Sequence, residues 1–211
     1  MHLSLWLTYF IATVILSLSP GPGVFSSLSS GINHGFRMGA WNGVGMQAAN
    51  FILICIVSLG LGAILLASET LFSAVKWIGV SYLVYLGIAT WRAPAKTFHE
   101  ETDSDRSARD VFLRGFFVNL TNPKGIIFFA AILPQFIDVH QPQAMQYAVL
   151  AGTTLAVDLV VMAGYTALAA KVLRVMQDPA RLRWVNRSLG GAFVAAGVAL
   201  ATFRRAAGAA I

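Results

Sequence analysis

Charge is scarce in this chain and cysteine nearly absent. Only 11% of its 211 residues are Asp, Glu, Lys or Arg, against about 25% in a typical soluble domain. That is too little polar side chain to coat a water-soluble globule of this size. The one cysteine, Cys55, sits in an apolar run. A lone thiol forms no internal disulfide, which excludes paired-thiol electron carriage and Cys-rich metal sites. A small residue facing lipid or core is its plain role. The four histidines (His2, His34, His99 and His140) all lie outside the deep apolar runs, which argues against an intramembrane enzyme. Asp158 is the only acid deep in such a run, too little for a metal exporter's ligand set. No Lys or Arg precedes Arg37, whereas a secretory signal starts with positive charge. The N-terminal apolar stretch is therefore expected to be retained in the membrane. No cofactor is called for.

What the chain has is apolar length. Hydrophobic residues make up 57% of it, and six apolar runs cover about 3–33, 38–67, 71–91, 110–138, 144–173 and 186–205. A spanning helix needs about 20 residues. The predicted fold is an all-α membrane protein of six transmembrane helices in one domain over 1–211. The net charge is +6, and eleven of the fifteen Lys and Arg fall in loops one, three and five. The positive-inside effect explains this better than nucleic acid does. Those loops are expected in the cytoplasm and both termini outside. The polar stretch 92–110 then reads as a solvated cytoplasmic linker. His34 and Arg37, at the end of the first run, read as topology and interface residues.

The first run is broken at LSPGPG, residues 18–23, and the fourth at LTNPKG, residues 120–125. Runs three and six share glycine punctuation: Gly79 and Gly87 in one, Gly190 and Gly197 in the other. The halves, about 1–92 and 110–207, thus resemble each other. Three spans is an odd number, so the second copy must enter from the opposite side, giving two inverted three-helix repeats.

Ser19–Pro20 and Asn122–Pro123 both have the grammar of a helix start, a side-chain cap followed by proline at the first helical position. Helices one and four are therefore expected to be discontinuous near the bilayer midplane. At about 1.5 Å per residue, 3–18 and 22–33 are half-spans of roughly 24 and 18 Å. Open backbone cannot face lipid, so the breaks must face protein or a polar cavity. Two helix N-termini converging there would make an anion site, with Gly21 and Gly23 allowing close approach to backbone. Lys124 opposes the dipole of the helix it starts, and at midplane it costs about 3 kcal/mol more on insertion scales. Something negative is expected beside it: a substrate carboxylate, or Asp158 as a pairing acid. Gln47 and Asn50, three apart on helix two, either line the same cavity or bond neighbouring helices. Gly39, Gly43, Gly45, Gly60 and Gly62 read as close-packing residues. Tyr82, Tyr85 and Trp91 read as interfacial or packing aromatics, and Tyr165 as a weaker cavity candidate.

SPGPG in the first run, WIGVSYLVYLGIATWR in the third and GFFVNLTNPKGIIFFAAILPQF in the fourth resemble the LysE/RhtB family of bacterial amino-acid exporters. The resemblance covers essentially the whole chain, and its most specific part is early SPGPG combined with NPK in the second half. It implies six transmembrane helices, a bacterial inner-membrane location and proton-coupled export of amino acids or close derivatives. A homodimer is compatible with it. Carried over by position, the motif residues are Pro20, Gly21, Pro22, Gly23, Asn122, Pro123 and Lys124. Asp158 would then serve the ammonium, the proton, or both in turn. A single deep acid favours neutral substrates over basic ones. An exporter of another small organic anion or metabolite on the same scaffold is the alternative.

Overall fold

A computed structural model describes residues 3–67, 69–93, 107–138 and 141–202. Most of the 92–110 linker and both chain ends lie outside the described residues. Every regular element among those described is helical. Helix α1 covers Leu3–Leu18, α2 Pro22–Ala67, α3 Glu69–Arg92, α4 Ala108–Leu120 and α5 Pro123–Ile132. A 3-10 turn, Leu133–Phe136, extends α5. Helices α6, α7 and α8 cover Gln143–Ala167, Ala169–Gln177 and Pro179–Thr202.

Both predicted breaks are present. Helix α1 stops at Leu18, where the Ser19 amide donates to the Ile15 carbonyl at 3.0 Å, and α2 starts at Pro22. Helices α4 and α5 part at Thr121–Asn122 with a 54° bend. The caps divide differently. Asn122 caps α5 as expected, its Oδ1 accepting from the Lys124 amide at 3.1 Å, with Pro123 at the start. Ser19 caps nothing: its Oγ is buried without a hydrogen-bond partner. Gly21 is the residue whose carbonyl takes the first bond of α2, from the Phe25 amide at 3.0 Å. Pro22, not Pro20, fills the first helical position, because Ser19 is already used in closing α1.

The 46 residues of α2 are continuous only by hydrogen-bond pattern. At Gly35 the backbone turns through φ 69°, ψ 177°, a region that glycine enters without steric cost. Ser26 Oγ donates to Asn42 Oδ1 at 2.8 Å across this point, so 22–34 and 36–67 lie side by side as a helical hairpin. The expected boundary between runs one and two is this turn.

Two other boundaries moved. The fifth run breaks at Leu168 (φ −102°, ψ 17°). Beyond it α7 carries Lys171 and Arg174 one turn apart on an otherwise apolar sequence, an amphipathic element rather than more of the span. Helix α8 starts at Pro179, seven residues before the expected 186, because Asp178 caps it. Its Oδ1 accepts from the Ala180 and Arg181 amides at 2.9 and 3.3 Å.

Helix α2 packs against α4 and α6, and α3 along α8. Close backbone approach explains several glycines. A Cβ on Gly45 would collide with the Phe112 carbonyl, and one on Gly115 with that of Asn42. Gly87 and Gly190 face each other's carbonyls where α3 crosses α8. Gly39 is packed against the Ser30 carbonyl, as expected of it, but Gly43 and Gly60 have ordinary room. The surroundings of Gly62 lie outside the description.

The larger core cluster joins α1, α3, α5 and α8 around Tyr9, Phe128, Phe129 and Phe136. Tyr9 meets Phe136 edge-on at 5.1 Å between centroids. Outside, large apolar side chains lie bare, with Leu59 84% and Val160 72% exposed. In water this would be unfavourable; against lipid tails it is not. Among the described residues, two helical stretches can cross a membrane by length and composition, Pro22–Gly60 and Gln143–Ala167, or three with the bent pair Ala108–Leu120 and Pro123–Phe136. The first of these contains the Gly35 turn.

Candidate functional site

A partly open cavity of about 50 Å³ lies where the two breaks meet. That is room for a few water molecules. Of the residues singled out in the sequence, Ser19, Gly21, Gly23, Asn50, Asn122, Lys124 and Asp158 line it. Pro20, Pro22, Pro123 and Gln47 are not in the lining. The prolines instead shape the backbone around it. A Cβ on Gly21 or Gly23 would come no closer than 3.8 Å to any neighbour. Protein packing therefore does not require glycine there, and the room it leaves belongs to the cavity.

The start of α2 contributes the amides of Gly23 and Val24, and that of α5 the amide of Gly125; all three residues border the cavity. The first amides of a helix have no intrahelical acceptor. The cavity thus receives donor groups and partial positive charge from two directions.

Lys124 has a role the sequence did not suggest. Its Nζ donates to the Leu16 and Ser19 carbonyls, each at 3.0 Å, and lies 5.7 Å from the Phe193 ring centroid. The negative group expected near it is thus the C-terminal end of α1, a favourable place for a cation. Tyr165, from α6, donates to the Leu18 carbonyl at 2.8 Å. Two side chains from the second half of the chain therefore satisfy the carbonyls that α1 leaves open. Tyr82 OH donates to the Lys124 carbonyl at 3.2 Å, so this aromatic steadies the first turn of α5 besides stacking on Tyr85. An ammonium has three donors, and two are engaged here.

Lys124 and Asp158 share the cavity without an ion pair between them. Asp158 instead accepts from Gln47 Nε2 at 2.8 Å and Asn50 Nδ2 at 3.1 Å, both on Oδ2. Asn50 Oδ1 in turn accepts from Asn119 Nδ2 at 2.7 Å. Gln47 and Asn50 therefore fill both roles foreseen for them, since they bond across helices and hold the cavity's acid. Oδ1 of Asp158 has no hydrogen bond in the structure.

Four polar lining residues were missed: Thr13, Ser17, Asn119 and Thr154. Spacing could have found three of them. Thr154 sits four before Asp158, on the same helix face, and Ser17 and Asn119 lie within three residues of the breaks at Ser19 and Asn122; Thr13, one turn before Ser17, had no such neighbour. Among the described residues no cluster of His, Cys, Asp or Glu could hold a metal ion.

The family described as LysE type translocator matches residues 14–203. The homoserine/homoserine lactone efflux proteins of Salmonella typhi and Salmonella typhimurium are each 40% identical to this chain over 201 residues, 95% of it and 98% of theirs. An uncharacterized membrane protein of Vibrio cholerae is 38% identical over 202 residues, 96% of this chain and 98% of its own. No solved structure matches. With broken helices meeting at a polar cavity and this likeness along nearly its whole length, the chain is a membrane protein that belongs to the LysE translocator family.

Proposed function

We propose that the protein is a secondary active exporter of neutral amino acids or close derivatives, driven by proton exchange. One observation carries this reading: the cavity has two helix N-termini and an ammonium on one side and a carboxylate on the other. That is the complement of a zwitterion. The solute's carboxylate lies against the amides of Gly23, Val24 and Gly125, with the remaining donor of Lys124. Its ammonium meets the unengaged Oδ1 of Asp158. The Salmonella relatives are named for homoserine and its lactone. Both solutes carry an α-ammonium and a carbonyl oxygen, but only homoserine carries a carboxylate. A purely anionic solute would be repelled by Asp158, so the alternative of an organic-anion exporter gains nothing here. When the ammonium leaves, a proton can take its place on Asp158, which would couple the two flows.

The reading extends to six spans in a bacterial inner membrane, built as two inverted repeats in one domain. The equivalent helix starts at Gly21–Pro22–Gly23 and Asn122–Pro123–Lys124 support it. So does the mutual approach of Gly87 and Gly190, since a twofold axis would bring equivalent helices together in that way.

Counterflow in proteoliposomes with radiolabelled homoserine, homoserine lactone, threonine, leucine and lysine tests the proposal. Homoserine should exchange and lysine should not, and an outside-acid gradient should accelerate outward flow. Lys124→Ala should slow homoserine at least tenfold, equivalent to about 1.4 kcal/mol, and the lactone much less, because the lactone has no carboxylate to lose. Asp158→Asn should slow both. Absence of exchange for every amino acid would overturn the exporter reading, and equal loss of homoserine and lactone in Lys124→Ala would overturn the carboxylate assignment.

A further inference from the structure

The cavity is closed very differently toward its two ends. Toward the start of α1 lie Tyr9, Phe128, Phe129 and Phe136, all 2% exposed or less, a packed aromatic plug whose one polar side-chain atom, the Tyr9 hydroxyl, is bonded to Thr154 at 2.6 Å. Toward the Gly35 turn the barrier is two methionines. Met46 and Met162 line the cavity, and Ser27 Oγ lies against both, 3.9 Å from the sulfur of Met46 and 3.3 Å from that of Met162.

Behind them runs a polar seam. Gly23, Ser27, Ser30 and His34 recur at spacings of four, three and four, one face of the helix from the cavity to the turn. Ser26, Ser27 and Ser30 are at most 5% exposed, and Asn42 on the facing arm is fully buried. Buried hydroxyls in membrane helices usually bond back to a carbonyl of their own helix. Thr166 does so, to the Met162 carbonyl at 2.9 Å, and the more exposed Thr8, Thr121 and Thr153 do the same. The serines of the seam do not. Ser26 reaches across to Asn42, Ser27 has a long 3.4 Å bond from Asn42 Nδ2 and otherwise only thioether sulfur, a weak acceptor, and Ser30 Oγ has no partner at all. Both ring nitrogens of His34 are likewise buried and without one. Packing alone would be served better by alanine at these positions, because unsatisfied buried groups are costly.

We propose that Met46, Met162 and Ser27 form the inner gate of the cavity, and that the seam of Ser26, Ser30, Asn42 and His34 behind it is the route by which a zwitterionic solute enters from the side of the Gly35 turn. The proposal rests on the exporter reading. Methionine suits a gate, being flexible and able to repack without losing apolar contact. The under-bonded groups of the seam would give a passing ammonium and carboxylate the hydrogen bonds that they give up on leaving water.

The test uses the full chain with its single cysteine replaced, Cys55→Ser, and one cysteine added at Ser30, in vesicles of either orientation. A membrane-impermeant maleimide should label Ser30→Cys from the face carrying the Gly35 turn, about tenfold faster with homoserine present. Met46→Ala with Met162→Ala should raise the homoserine-free rate similarly. If that pair fails to accumulate, Met162→Leu should raise it instead, since it removes a sulfur acceptor at nearly constant volume. Labelling from the other face overturns the proposal, as does labelling indifferent to both homoserine and the methionines. So does no labelling at all while Gly125→Cys, in the cavity, reacts. If counterflow fails for every amino acid, the exporter reading falls. If counterflow succeeds and the seam stays unlabelled, only the gate does.

Discussion

Lys124 shows how a residue's position can be right and its partner wrong. A cation at the first turn of a helix deep in an apolar run must meet something negative, and the sequence offered a ligand or Asp158. The structure supplies a third group, the carbonyls of Leu16 and Ser19, which only the meeting of two broken helices brings into range. Asp158 is satisfied separately by Gln47 and Asn50. Removing one member of a buried ion pair typically costs 3–5 kcal/mol through the charge left behind. No such pair exists here, so Lys124→Ala should not orphan Asp158. In a double-mutant cycle of Lys124→Ala and Asp158→Ala, thermal stability in detergent should be close to additive, with coupling below about 1 kcal/mol. Recovery of stability in the double mutant to near the parent value would show a structural pair after all. Homoserine export should fall at least tenfold in both singles and not recover in the double.

At the level of elements, breaks and caps were legible to the extent that their signals are local. Asn122–Pro123 starts α5 because a capping side chain followed by proline is sufficient instruction. Asp178–Pro179 carries the same instruction, and α8 obeys it, though apolar run length alone places that start at 186. Ser19–Pro20 carries it too and fails, because Ser19 closes α1 and the next proline, Pro22, takes the position. Two candidate starts two residues apart, at Pro20 and Pro22, differ by what the preceding helix does, which no window of sequence states. The Gly35 turn was legible as a place, since the apolar runs part between 33 and 38, but not as a conformation: one glycine with positive φ makes the reversal. Glycines needed for packing are not distinguishable in sequence from those that are not, since the difference lies in the facing backbone. Gly115→Leu drives a side chain into the Asn42 carbonyl and should prevent accumulation of folded protein. Gly60→Ala, with nothing within 4 Å, should leave yield and melting temperature unchanged within a few degrees. A tolerated Gly115→Leu would mean that α4 can move off α2 at little cost.

For the whole molecule, the arrangement proposed above fixes a topology. The arms of α2 are antiparallel about Gly35, so the start of α1 and the Gly35 turn lie on opposite sides of the cavity. Helix α4 approaches the cavity from the side of that turn, because Gly115 and Gly45 pack it along the second arm, and α5 leaves toward Tyr9 through Phe128 and Phe136. The two broken helices thus run in opposite senses, as an inverted repeat requires. On the proposed topology Lys and Arg gather on one side: Arg37 follows the Gly35 turn, Arg109 and Arg114 lie in the first half of α4, and Lys171, Arg181, Arg183 and Arg187 lie beyond α6. Positive residues near span ends are held in the cytoplasm. Enzyme reporters fused at Thr102 and after Ile211 should therefore report cytoplasm and exterior respectively. A single cysteine in place of Gly35, in the Cys55→Ser chain, should react with an impermeant thiol reagent only in inside-out vesicles. An external Thr102 would reverse the direction of transport, and with it the side from which the methionine gate opens. A cytoplasmic C-terminus together with a cytoplasmic Thr102 would mean an even number of crossings in the second half, which no inverted three-span repeat allows.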